Sequence, residues 1–263
     1  MSLLFITAGT KGGIGKTMTA TMLADTALLN NMQVVLYDCD NENESLKNSY
    51  LTPAENCRIE TVRMMSDEVD MDYPLDFVVN DIIRTESGSK NQSKNVYIVD
   101  MKAGTTHYTL EWLEEFPFDD IRAQGIKIYI VGCITADFDS VYTLSRWIAR
   151  FTEDMLERKL HFLIVKNPFQ GNNFDCYEEV LADSMEGDTG SNLVIELPDF
   201  GRRYSKRLKD HHTTFGQVAT GKTVIKQFDH MDRYRVKSGF RKVVKAFETV
   251  WAPPAAAPEE SKQ

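Results

Sequence analysis

Lys16 and Thr17 are, by type and spacing, the residues of this chain best suited to chemistry. They close the stretch Thr10-Lys11-Gly12-Gly13-Ile14-Gly15-Lys16-Thr17, with Met18 next. The apolar run Leu3-Leu4-Phe5-Ile6 precedes it, and a helical pattern of Ala20, Leu23, Ala24, Ala27 and Leu28 follows. Strand, glycine-rich turn and helix in that order is the context of a phosphate-binding loop. Glycines permit the tight turn that aims successive backbone N–H groups at phosphate oxygens. The helix N-terminus adds partial positive charge. At these positions Lys16 reaches the β- and γ-phosphates and the Thr17 hydroxyl holds Mg²⁺.

Carboxylates stand where such a site needs them. The run Gln33 to Tyr37 ends in Asp38-Cys39-Asp40, and Val96 to Val99 ends in Asp100, followed by Met101-Lys102-Ala103-Gly104. Doubly wound sheets bind ligands at the C-terminal edge of their strands. An apolar strand ending in Asp is the layout in which a carboxylate holds Mg²⁺ through water. Asp38 and Asp40 have a plainer reading too, as N-caps for the segment after them.

The loop departs from G-x-x-x-x-G-K-T at Thr10 and carries Lys11 with two glycines behind it. Lys-Gly-Gly-x-Gly-Lys-Thr resembles the deviant Walker A loop of the ParA/MinD family of ATPases. That resemblance covers residues 1–201 and implies ATP with Mg²⁺, slow hydrolysis stimulated by a partner protein, and a homodimer closed by ATP. Lys11 would then reach across the dimer to the partner's nucleotide. Nucleotide contacts are implied for Lys11, Gly12, Gly13, Ile14, Gly15, Lys16, Thr17, Met18 and the N–H of Gly104. The Asn167 amide would read the adenine edge, though Asn167-Pro168 is also a turn signal. Pro198 and Asp199 would pack near the base. Thr17 would bind the metal directly and Asp100 through water, with Asp38 near that shell. Lys11, Lys16 and Asp40 form the implied catalytic set, Asp40 orienting the attacking water. Asn41-Glu42-Asn43 departs from the Pro-Gln-Gly common after this motif in the family.

The elements that must position these residues follow from periodicity. Apolar runs predict strands at 3–8, 33–37, 96–100, 126–133, 162–165 and 193–197. Helices are predicted at 16–30, 75–84, 108–117 and 138–155, and 41–94 is otherwise hard to read. The expectation is an α/β fold, one doubly wound, mostly parallel sheet with helices on both faces. A single domain is expected over 1–250, with 202–250 a basic helical part. The Pro/Ala-rich tail 251–263 reads as disordered.

The net charge of −9 conceals an asymmetry. Residues 1–201 hold 16 Lys/Arg against 33 Asp/Glu, net −17; residues 202–245 hold 13 against 3, net +10. A basic stretch beside an acidic body suits a polyanion partner or an internal electrostatic contact. Arg202, Arg203, Arg235, Arg241 and Lys242 are the candidate contacts to non-specific DNA, and a solvated helix face is the plainer alternative. Inside this region Gly216-Gln217-Val218-Ala219-Thr220-Gly221-Lys222-Thr223 matches G-x-x-x-x-G-K-T in full, but no apolar strand precedes it, which argues against a second nucleotide site.

Four scattered cysteines without C-x-x-C read as free thiols of a reducing cytoplasm. No apolar run is long enough for a transmembrane helix, and neither a signal peptide nor a stable membrane anchor is expected. The resemblance implies a cytoplasmic switch, nucleoid-associated if it binds DNA, that partitions or positions plasmids or chromosomes. One alternative is a positioning ATPase for a protein cargo or conjugation machinery, without DNA binding. A dethiobiotin-synthetase-like ligase shares the Gly-Lys-Thr loop, but Lys11 counts against it.

Overall fold

The computed structural model describes residues 1–9, 11–40, 42–63, 73–88, 94–181 and 192–252. Thr10, Asn41 and most of the C-terminal tail therefore lie outside the described residues. Seven strands form one sheet: β1 (Ser2–Ala8), β2 (Gln33–Asp38), β3 (Cys57–Thr61), β4 (Asn95–Asp100), β5 (Ile126–Ile134), β6 (His161–Lys166) and β7 (Leu193–Glu196). Their order is β3-β2-β4-β1-β5-β6-β7, and every neighbouring pair is parallel. The chain passes from β1 to β2 and β3 on one side, returns to β4, and crosses to β5 on the other. The loop after β1 lies at that reversal, where open α/β sheets bind ligands.

Strands buried on both faces read as continuous apolar runs, which is why six were legible. In β1, Leu4, Ile6 and Ala8 join one core while Leu3 and Phe5 join the other, as the two-residue period requires. β3 was not predicted. It is one of the two edge strands of the sheet, Cys-Arg-Ile-Glu-Thr, with only Cys57 buried, and no apolar run announces it. The strand ending in Asp100, third by sequence, is therefore the fourth.

The first core packs the sheet against α3 (Asp76–Gly88), α4 (Thr106–Glu114), α5 (Phe118–Ala123), α6 (Phe138–Arg150), α7 (Thr152–Leu156) and α8 (Asp175–Val180). The predicted helix 138–155 breaks at Phe151, which caps α7. The helix predicted at 108–117 ends at Glu114, ahead of Pro117, because the residue before a proline is pushed out of the helical region.

The second core holds α1 (Lys16–Leu29), α2 (Ser45–Ser49), α9 (Gly201–Asp210), α10 (Phe215–Ala219) and α11 (His230–Trp251). α1 is buried on nearly every side from Thr19 to Ala27, enclosed between the sheet and the C-terminal helices. α11 is amphipathic: Val236, Phe240, Val243 and Phe247 face inward, and each such side chain contributes about 1.5–3 kcal/mol by leaving water. Trp251, assigned by sequence to the tail, ends α11 and packs edge-on to Phe5 with centroids 5.8 Å apart.

Candidate nucleotide-binding site

β1 delivers its chain into a turn that only glycine adopts without strain. Gly9, Gly13 and Gly15 have φ of 132°, 78° and 102°, and Gly15 is the residue that caps α1. A Cβ on Gly15 would collide with the Asn167 amide. Lys16, buried at the first position of α1, donates from Nζ to the carbonyls of Gly9 (3.1 Å) and Lys11 (3.3 Å). Burial lowers its pKa, opposed by the charges of Cys133, Asp100 and Asp40. Both of these partners are neutral carbonyls, and a phosphate group would better satisfy the ammonium.

Register places the carboxylates. Asp38 of β2 and Asp100 of β4 are paired neighbours at the C-terminal edge of the sheet. Thr7 donates to Asp100 Oδ1 at 3.1 Å, and the Thr17 hydroxyl donates to the same carboxylate. Burial is the main cause that lifts Asp100 to about 7, and the Asp38 charge adds to it. A hydroxyl and a carboxylate beside phosphate oxygens suit Mg²⁺, which keeps several waters and takes few protein ligands. Among the described residues, no group of three or more His, Cys, Asp or Glu is arranged to hold a metal.

Asp38 is otherwise engaged. Its oxygens accept from Asp40 N at 3.0 Å and Lys47 N at 2.9 Å, so it caps α2 across the loop. Asp40 accepts from Asn43 N and Nδ2 and lines a hollow of 450 Å³. Gly12, Gly13, Gly15, Lys16, Thr17 and Met18 line the same hollow. Ser205, Lys209 and Phe215, from the C-terminal helices, close its far side. Gly104, at φ 84°, lies in the loop after β4, and Lys102 of that loop bonds Glu42 at 2.7 Å. The two loops that flank the hollow are thereby tied together.

Asn167, Pro198 and Asp199 are not part of that lining. Asn167 donates from Nδ2 to Ile14 O at 2.9 Å and accepts from Phe169 N at 3.2 Å, which makes it a brace for the loop. Asp199 accepts from Gly201 N at 2.7 Å, at the start of α9.

Lys11 is exposed at the loop and is ion-paired with Asp137, and with Asp139 at 3.8 Å. Its bond to Asp137 raises its pKa and holds the Asp137 carboxyl below the usual range. Asp137 is also the N-cap of α6, accepting from Asp139 N. Sequence reasoning missed it, although an Asp just before a helical pattern is a recognised start signal.

The five basic residues proposed for DNA differ in their surroundings. Arg203 pairs with the buried Asp232 at 3.0 Å, and Arg235 bonds Tyr204. Arg202 lies over the Phe169 ring, 5.2 Å from its centroid. Arg241 and Lys242 are exposed on the outer face of α11.

The second Gly-Lys-Thr stretch builds no phosphate cradle. It forms α10 and the turn after it, and the Gly216 N–H is taken by Asp25 of α1 at 2.9 Å. A Cβ there would sit 2.5 Å from the Asp25 carboxylate, which explains the glycine.

MinD of Pyrococcus horikoshii, solved with Mg-ADP, is similar in structure: 12% identity, TM-score 0.53, covering 96% of this chain and 98% of that one. A protein of Borrelia burgdorferi B31 assigned to plasmid partition, solved with AMPPNP, matches at 13% identity and TM-score 0.49 over 92% and 99%. MinD of Aquifex aeolicus matches at 14% and TM-score 0.48 over 93% and 95%. No curated protein sequence matches. The seven-stranded parallel sheet is that of the Pyrococcus protein. The model of the CobQ/CobB/MinD/ParA nucleotide binding domain matches residues 5–248, nearly the whole chain, so this protein belongs to that family.

Proposed function

We propose that the chain is an ATP-dependent dimerising switch of the ParA/MinD kind that hydrolyses ATP slowly and acts in DNA partitioning or positioning. The observation that carries the reading is Lys11: a second loop lysine, exposed in the glycine-rich turn and paired with the carboxylates of Asp137 and Asp139. Such a cation adds to phosphate stabilisation once a second subunit closes over the nucleotide. Lys16 exchanges the Gly9 and Lys11 carbonyls for phosphate oxygens, while the Gly12, Gly13 and Gly15 backbone cradles the chain of phosphates. Thr17 and Asp100 would hold Mg²⁺, which supplies charge neutralisation at the β- and γ-phosphates. Asp40, at the rim of the hollow, orients water, and Asp38 positions it by fixing α2 and the Asp40 amide. The Pyrococcus MinD, solved with Mg-ADP, supports this choice of ligand.

The DNA part rests on the outer face of α11, where Arg233, Lys237, Arg241, Lys242 and Lys245 are all exposed. The test is retention on non-specific duplex DNA with ATP, ADP or no nucleotide across a salt series. ATP-specific retention that falls with salt and is lost in an Arg241→Ala, Lys242→Ala variant is expected. A second reading, a positioning switch for a protein cargo, is favoured by the internal engagement of Arg203, Arg207 and Arg235. Absence of DNA retention under every nucleotide selects it.

A further inference from the structure

A second hollow, of 400 Å³, opens on the side of α1 away from the phosphate loop. Its walls come from the C-terminal half of α1, from the link between α2 and β3, and from the Gly216–Thr223 stretch that resembles a phosphate loop without being one. Asp25 and Tyr50 form its inner end: the Tyr50 hydroxyl donates to Asp25 Oδ1 at 2.8 Å, and Gly216 N to Oδ2 at 2.9 Å. That carboxylate is already satisfied and offers an incoming cation little.

The rim is of another character. Leu29 and Leu51 line the hollow yet are 47% and 62% exposed. Val224, which follows the lining residue Thr223, is 65% exposed. Single exposed aliphatics are ordinary, but Leu29 and Leu51 line one cavity together, as at an interaction surface. Among the described lining residues the exposed charge is Lys222, His212 is a further exposed side chain, and Asp25 is the one carboxylate.

Aliphatic anchors around a cavity whose described lining carries an exposed lysine, and no carboxylate but the already bonded Asp25, ask for an occupant that is both apolar and acidic. Duplex DNA has the charge but no side chain to enter the cavity or cover Leu29 and Leu51. We propose that this hollow docks a short acidic segment of a partner protein, whose aliphatic side chains enter between Leu29 and Leu51 while its carboxylates meet Lys222. Apolar anchors in a groove give such a segment its affinity, and complementary charge gives it specificity. The site stands on α1 and α10 and needs no part of the phosphate loop.

The test uses the full chain and two fluorescein-labelled peptides of about twelve residues, long enough for several anchors of a helical or extended segment. One peptide combines leucine with aspartate and glutamate; the other replaces every acid with lysine. Fluorescence anisotropy is expected to show micromolar binding of the acidic peptide and none of the basic one. Leu51→Glu, at an exposed position, should weaken binding by about ten-fold or more, equivalent to about 1.4 kcal/mol. Lys222→Glu should weaken the acidic peptide and admit the basic one. Thermal melting by circular dichroism checks that both variants remain folded. The proposal fails if the acidic peptide does not bind, if neither substitution changes its affinity, or if unlabelled duplex DNA displaces it equally from wild type and Leu51→Glu. That last result would assign the peptide to the general cationic surface.

Discussion

Asp25 shows how a single side chain can tie elements together although burial opposes its charge. It sits on the helix that begins at the phosphate loop, and it joins that helix to Tyr50 and to the amide of Gly216. Burial raises its carboxyl from 3.8 to about 6 despite donation from Thr214, Tyr50 and Gly216. The sign follows from linkage: a raised folded-state value means that the native protein binds the proton more tightly than the unfolded chain. Asp25 therefore favours folding fully below about pH 4, and that contribution is lost as pH rises through about 6. A shift of about two units corresponds to roughly 3 kcal/mol across the window. Asp25→Asn should flatten the pH dependence of stability between pH 4 and 6, read as urea midpoints of wild type and variant. Parallel pH profiles for the two proteins would refute the assignment. Gly216→Ala tests the same contact by volume: its Cβ would fall 2.5 Å from the carboxylate, so a loss of about 1–3 kcal/mol is expected in the same urea titration.

At the level of elements, the C-terminal helices show where sequence pattern is informative and where it stops. Val236, Phe240, Val243 and Phe247 recur at helical spacing and are the buried face of α11, because burial on one face leaves a helical period in the sequence. The phosphate loop and its flanking elements were legible for a similar reason, since glycine positions and an apolar run fix a local conformation. Ion pairing leaves no such trace. Nothing local in the sequence joins Asp232 to Arg203 and Arg207, which lie on another helix, or Lys11 to Asp137. β3 escaped because Cys-Arg-Ile-Glu-Thr contains no apolar run, whereas the other edge strand, β7, keeps Leu193-Val194-Ile195. Asp232 is buried on α11, and burial alone would raise its pKa; donation from Tyr204 and from Asp229 N, with the two arginines, brings it below the usual value. It thus holds α9 to α11 and withdraws two arginines from the basic surface. Asp232→Asn should lower the thermal midpoint by several degrees, because the arginine charges lose their partner. Assayed below that midpoint, it should also steepen the salt dependence of DNA binding by roughly one to two counterions as Arg203 and Arg207 become available to phosphates. An unchanged slope would show that these arginines face away from any bound polyanion.

For the whole molecule, the question is what the single chain does with a lysine whose proposed place is in another subunit. The structure gives an answer within one chain: Lys11 is drawn sideways to the start of α6, where Asp137 and Asp139 hold it. In the proposed dimer, closing over ATP would require Lys11 to leave both carboxylates, so that ion pair would oppose assembly. The pair is exposed, and exposed pairs are weak and screened by salt, so it acts as a modest brake. Asp137→Asn removes the charge while keeping a side chain that caps helices equally well, so α6 should remain intact. Combined with Asp139→Asn, it should tighten the ATP-dependent dimer a few-fold at low salt, with the gain shrinking as salt rises. Lys11→Ala should instead retain ATP binding and lose the dimer, while Lys16→Ala should lose ATP binding itself. Sedimentation of the four proteins with ATP, at low and high salt, reads the dimer, and equilibrium dialysis against ATP reads binding. A Lys11→Ala protein that dimerises like wild type would remove Lys11 from the interface, and the paired aspartates would then be only a cap and a surface charge.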